Sequence, residues 1–167
     1  MNKPKAVSVR VNNEFLLVTS IIRGMIGMTD PDQDFVFNKV DITDSYFGKL
    51  VKEKLDESRE VSLQEFQAIF NSEKMKGLQK NLEEEMKKRY GYKNKKSIYK
   101  DMSFLSLEQD ASFIIIAPLH QDSPGGYSGI SLPDNSPLEF KYDKNISDEE
   151  LGKAVRQALT YCTSIYR

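Results

Sequence analysis

At 167 residues, with 39% hydrophobic and 29% charged side chains, the sequence reads as one soluble domain (1–167) able to bury a core without staples. Its single cysteine, Cys162, excludes an internal disulfide. No signal-peptide pattern or bilayer-length apolar run is visible either, which points to the cytoplasm and away from the membrane.

Val7, Val9 and Val11 alternate with Ser8 and Arg10, the period of a half-buried strand, and Asn12-Asn13 suits a tight turn into a second strand over Phe15–Ile22. Gly24 and Gly27 break that run, and Phe35 and Phe37 before Val40 predict a short third strand. Phe47, Leu50, Val51 and Leu55 share one helical face. Ser62 and Glu65 form a capping box, with Val61 and Phe66 spaced as a hydrophobic staple. Met75, Leu78, Leu82 and Met86 make a narrow apolar stripe, predicting a surface helix that ends near Gly91.

Strands are predicted over Ile98–Leu107 and Phe113–Ala117, the second buried on both faces because it has no polar alternation. A glycine-rich turn over Asp122–Gly129, a loop over Pro133–Pro137 and a strand over Leu138–Tyr142 follow. Ser147 and Glu150 cap a last helix whose stripe is Leu151, Ala154, Val155, Ala158, Leu159 and Cys162. No internal repeat is visible. The order gives an α+β domain: a mainly antiparallel sheet packed with about four helices, including a long C-terminal one.

Charge is segregated along the chain, residues 101–150 holding ten acidic side chains against two basic ones. Catalytic patterns are missing. Gly126-Tyr-Ser-Gly fails the nucleophile-elbow spacing because Ile130 takes the fifth place, and neither a phosphate loop nor a dinucleotide fingerprint is present. Cys162 falls on an apolar helical face, where it reads as a small core residue rather than a reactive thiol. Asp30, Asp32, Asp34 and Asp41 mimic a calcium loop, but Phe35 replaces the sharp-turn glycine, so the stretch reads as a solvated acidic loop. No metal or cofactor is therefore expected. Lysines of segment 87–100, interleaved with Tyr90, Tyr92 and Tyr99, leave a nucleic-acid-binding regulator as the alternative. The overall pI near 5.9 and the scarcity of arginine there argue against direct nucleic-acid contact.

Read in order, the tract Gly91–Met102, the strand end Ala117-Pro-Leu-His120, the turn Gly125-Gly-Tyr-Ser-Gly129 and the helix Leu151–Cys162 resemble the immunity proteins of contact-dependent growth inhibition (CDI), the CdiI type. The resemblance implies a cytosolic, non-catalytic protein that neutralises the C-terminal toxin domain of a cognate CDI effector as a 1:1 heterodimer. Ribonucleases are among such toxins, and covering the active site is the expected mode. Nucleases commonly carry positive clefts, which an acidic surface can occupy. The expected contact residues are Asp110, Asp122, Asp134 and Glu139 for charge, with His120 and Tyr127 as anchors. Asp30–Asp44 is the next acidic segment.

Overall fold

The computed structural model describes residues 3–167. In chain order the elements are β1 (Lys5–Val11), β2 (Leu16–Arg23), β3 (Gly27–Thr29), α1 (Asp44–Glu57), β4 (Arg59–Glu60), α2 (Leu63–Phe70), α3 (Glu73–Tyr90) and α4 (Lys95–Tyr99). Then come β5 (Ser103–Gln109), β6 (Phe113–Ser123), β7 (Gly126–Gly129), β8 (Phe140–Asp143), α5 (Asp148–Leu159) and β9 (Thr163–Ser164). The strands form one mainly antiparallel sheet in the order β3-β2-β1-β5-β6-β7. β4 adds to β2, while β8 and β9 add to β6.

Local chemistry sets the two long hairpins. Asn12 Oδ1 accepts from the backbone N–H groups of Glu14 and Phe15, at 2.9 and 3.0 Å, which turns β1 into β2. Asp110 Oδ1 does the same for Ser112 and Phe113 between β5 and β6, at 2.8 Å each. β6 is the hub. Its first half lies between β5 and β8, and its second half lies between β7 and β9. Pro118, which has no N–H, sits where those neighbours change, opposite Leu105 at one end of the β5 ladder.

Val7, Val9, Leu16, Val18, Leu105, Leu107, Ile114 and Ile116 project from one face of the sheet into a core closed by Phe47, Val51 and Leu55 of α1 and Leu151, Val155 and Ala158 of α5. α1 and α5 cross antiparallel through a reciprocal glycine contact. A Cβ on Gly48 would overlap the Asp148 carbonyl oxygen, and one on Gly152 would overlap that of Asp44. Ion pairs flank the crossing on both sides: Lys52 to Asp148 at 2.9 Å and Arg156 to Asp44 at 2.9 Å. Leu151 is fully buried, so its truncation to alanine is worth about 2–5 kcal/mol.

A second, smaller core gathers Phe15, Leu17, Leu82, Met86, Ile98, Tyr99 and Met102 under α3 and α4. α3 begins at the Ser72 cap and stops at Gly91, whose φ of 74° is the left-handed conformation that glycine adopts freely. Ser62 caps α2 through the Glu65 N–H at 3.1 Å. Phe66 lies so close to Gly24 that a side chain there would collide with its ring.

Four expectations are corrected. Residues 35–40 form no strand but a single bridge to Leu16 through Asn38, because Phe35 and Phe37 pack into the second core instead of alternating on the sheet. Ile98–Met102 is not strand. Asn94 and Ser97 cap one another reciprocally and start the short α4, and β5 begins only at Ser103. β6 is not buried on both faces, since Ile114 and Ile116 are sealed while Phe113 is 37% exposed and Ile115 and Ala117 are only partly buried. Asp122–Gly129 is a hairpin with its turn at Pro124-Gly125, not an extended turn. The C-terminal helix runs 12 residues against 18 for α3, and the short α4 brings the helices among the described residues to five.

Candidate functional site

The six expected contact residues do not converge on one spot. Asp122 lies exposed at the end of β6, beside the hairpin turn. Asp134 is exposed in the loop between β7 and β8, where its Oδ1 accepts from the Ser136 N–H at 3.0 Å. Those Ser136 hydrogen bonds hold the Asp134 carboxyl below the usual carboxylate range. Glu139, also exposed, is on the return of the same loop, just before β8. All three hang from consecutive connections on the β7–β8 side of the hub strand. Asp110 belongs to the opposite end of β6, roughly 30 Å away along an 11-residue strand. There its carboxylate serves the β5–β6 turn, whose backbone N–H groups depress its pKa.

His120 and Tyr127 face opposite ways. Tyr127 pairs with Gln121, one residue beyond His120, and successive residues of a strand alternate faces. His120 Nδ1 lies 2.8 Å from Thr163 Oγ1, tying β6 to β9. Tyr127 packs its ring 4.5 Å from that of Phe104, and its hydroxyl accepts a 3.3 Å hydrogen bond from Gln121 Nε2. Burial pushes its phenol up to about 12. Both side chains are thus engaged within the fold, on opposite faces of the β6–β7 pair.

The other acidic segment is largely neutralised. Asp30 is only 7% exposed, not solvated, with Arg59 Nε 3.2 Å from Oδ2, and Asp32 takes Lys74 at 2.8 Å. Among the described residues no group of three or more His, Cys, Asp or Glu side chains is set to hold a metal.

The tyrosines of segment 87–100 are turned inward. Tyr99 is 1% exposed and donates to Glu83 Oε2 at 2.7 Å, Tyr90 stacks on Phe15, and the Tyr92 hydroxyl accepts from Asn12. Tyr90 and Tyr92 remain half-buried, and Tyr92 lines an open pocket beside Lys93 and Lys100. Cys162 packs against the main core, its Sγ 3.4 Å from the Phe104 carbonyl oxygen, with burial raising its pKa.

Arg10 escaped the sequence reading. Its place in an alternating strand suggested a solvent face, yet it is 8% exposed, with its guanidinium 5.3 Å from the Phe104 ring centroid. The signal was in the neighbouring strand: Leu16-Leu-Val, apolar on both faces, requires cover on both sides of the sheet at that point.

The family model for the CDI immunity protein, CdiI, matches residues 5–162, and the chain belongs to that family. Among solved structures, the CdiA-CT/CdiI toxin and immunity complex from Yersinia pseudotuberculosis aligns with a TM-score of 0.83 at 21% identity, covering 97% of this chain and 99% of that one. A protein of unknown function from Neisseria meningitidis, NMB0488, aligns with a TM-score of 0.86 at 18% identity, covering 97% and 98%. At such identities these likenesses speak for the fold. No curated protein matches the sequence. Among the described residues no helix is long and apolar enough to cross a membrane.

Proposed function

We propose that this immunity protein acts in the cytoplasm as a non-catalytic, 1:1 inhibitor of its cognate CDI toxin domain. The toxin is a ribonuclease, and its basic active-site cleft is covered by the acidic loops of the immunity protein. The observation that carries the reading is the exposure of Asp122, Asp134 and Glu139 on consecutive connections of a region with ten acids and two bases. Fixed negative charge on exposed loops steers a cationic partner and excludes its polyanionic substrate. Asp110 is left out of the contact set by its distance, and His120 and Tyr127 support the loops from below. The complex from Yersinia pseudotuberculosis, named for a toxin and an immunity protein, supports a toxin domain as partner.

Growth rescue tests the role directly. Cells expressing the toxic C-terminus encoded beside this chain are expected to survive only when the chain is co-expressed. Cell death at the same rate with and without it refutes the proposal. Purified complex is expected to protect RNA that the free toxin cleaves, whereas RNA cleavage by the immunity protein alone would overturn its non-catalytic assignment.

A further inference from the structure

One buried cation has no partner. The Arg10 side chain makes no hydrogen bond or ion pair within the described residues, and its Nε is sealed from solvent without an acceptor. Glu83 is the carboxylate nearest in effect, but it is held by the Tyr99 hydroxyl at 2.7 Å and Gln79 at 2.7 Å, with Lys95 3.9 Å away. Tyr99 and Tyr127, the other groups facing the guanidinium, are neutral phenols held above their ordinary range. Removing a charge from water is costly unless an opposite charge answers it. The Phe104 ring, 5.3 Å from the guanidinium carbon, answers only part of that cost.

The position of Arg10 explains what it could meet. Val7, Val9 and Val11 point into the main core, so Ala6, Ser8 and Arg10 look out of the other face of β1, with Ser106 and Phe104 across from Ser8 and Arg10 on β5. α1 and α5 pack only on the first face. On the second face, Ala6, Ser8, Ile21, Phe104, Ser106 and Leu119 line an open groove of about 380 Å³. Arg10 flanks one end of it through Phe104. At the other end Arg23 is already matched by Glu108 at 3.1 Å. The groove thus has an apolar, small-residue floor, and the one unanswered positive charge lies just outside its lining, behind the Phe104 ring.

We infer that this groove receives a segment of the toxin domain that brings a carboxylate side chain to Arg10, completing an ion pair that the free immunity protein lacks. The inference rests on the immunity reading and adds a second contact of opposite polarity to the acidic loops: here the immunity protein supplies the cation. A groove with a matched pair at one end and an unmatched guanidinium just behind its Phe104 wall at the other discriminates by charge as well as shape. A toxin without the acid would leave Arg10 buried and unpaired a second time, under the partner.

The test uses full-length protein and the toxin domain encoded beside it. Arg10→Met keeps the bulk of the side chain and removes the charge. It is expected to weaken toxin binding by about 30-fold or more, mainly through the off-rate, while leaving the melting temperature of the free protein unchanged or higher. Unaltered affinity overturns the inference. A double-mutant cycle keeps it decidable if the variant also loses stability: neutralising toxin carboxylates one at a time is expected to reveal one whose effect vanishes against Arg10→Met. If every carboxylate costs the same against both proteins, the inference falls. Loss of RNA retention by Arg10→Met with toxin affinity intact would make the ligand a phosphate and also overturn it. Failure of the wild-type protein to bind the toxin sinks the immunity reading as well, whereas indifference to Arg10→Met alone sinks only the groove contact.

Discussion

The Tyr127 hydroxyl takes its hydrogen bond from Gln121, whose Nε2 also donates to the Tyr99 backbone carbonyl oxygen at 2.7 Å, so one amide ties the Tyr127 phenol to the backbone of Tyr99, whose own hydroxyl is held by Glu83 and Gln79. Burial raises the Tyr127 pKa to about 12, and burial together with the Glu83 carboxylate raises that of Tyr99 further. In an unfolded chain both would ionise near about 10. The stability linked to their neutral forms is therefore complete below pH about 10 and is lost as the pH climbs through the folded values. Urea midpoints are expected to fall across that alkaline window, and Tyr127→Phe to fall less steeply than wild type. A midpoint flat to pH about 12 in the wild type would contradict this. Tyr99→Phe removes the donor to Glu83 and is expected to cost about 1–3 kcal/mol in chemical denaturation.

Between α1 and α5 the sequence carries the same spacing twice: Asp44-x3-Gly48-x3-Lys52 and Asp148-x3-Gly152-x3-Arg156. The two copies meet head to tail, each aspartate reaching the other helix's cation across a shared glycine contact. Gly152→Ala, ordinarily a helix-favouring change, is instead expected to destabilise by about 3 kcal/mol or more, because a methyl group has nowhere to go. Asp44→Asn, which touches a part-exposed pair, is expected to cost about 1 kcal/mol or less. Thermal melts of both variants check the contrast. Local patterns of this kind were only partly legible. The caps at Ser62 and Ser147 and the stop at Gly91 depend on neighbours in sequence, and the structure keeps all three. Phe35 and Phe37 misled because alternation is also satisfied by two rings dropping into a remote core. Ile98 misled because an apolar run of strand formers was overruled by the Asn94–Ser97 capping box.

For the molecule as a whole, the family was readable from the order of motifs over residues 91–162, since fold residues recur at fixed places, and the α+β class from the order of strands and helices along the whole chain. The contact surface was less readable, because the chain's charge blocks do not map onto surface blocks: Asp30 and Asp32 vanish into pairs with Arg59 and Lys74. Charge reversal at Asp122 and Asp134 together is expected to slow toxin association about 10-fold at low salt, with the difference shrinking as salt rises. An association rate indifferent to both would place the contact elsewhere. The clasp of α1 on α5 has a further bearing on how protection is delivered. Arg156 and Asp44 are 112 residues apart, and the main core stays open until the last helix arrives. A nascent chain still missing α5 is thus unable to seal its sheet, and a premature stop near residue 147 is expected to yield a product cleared by proteases before it can shield the cell.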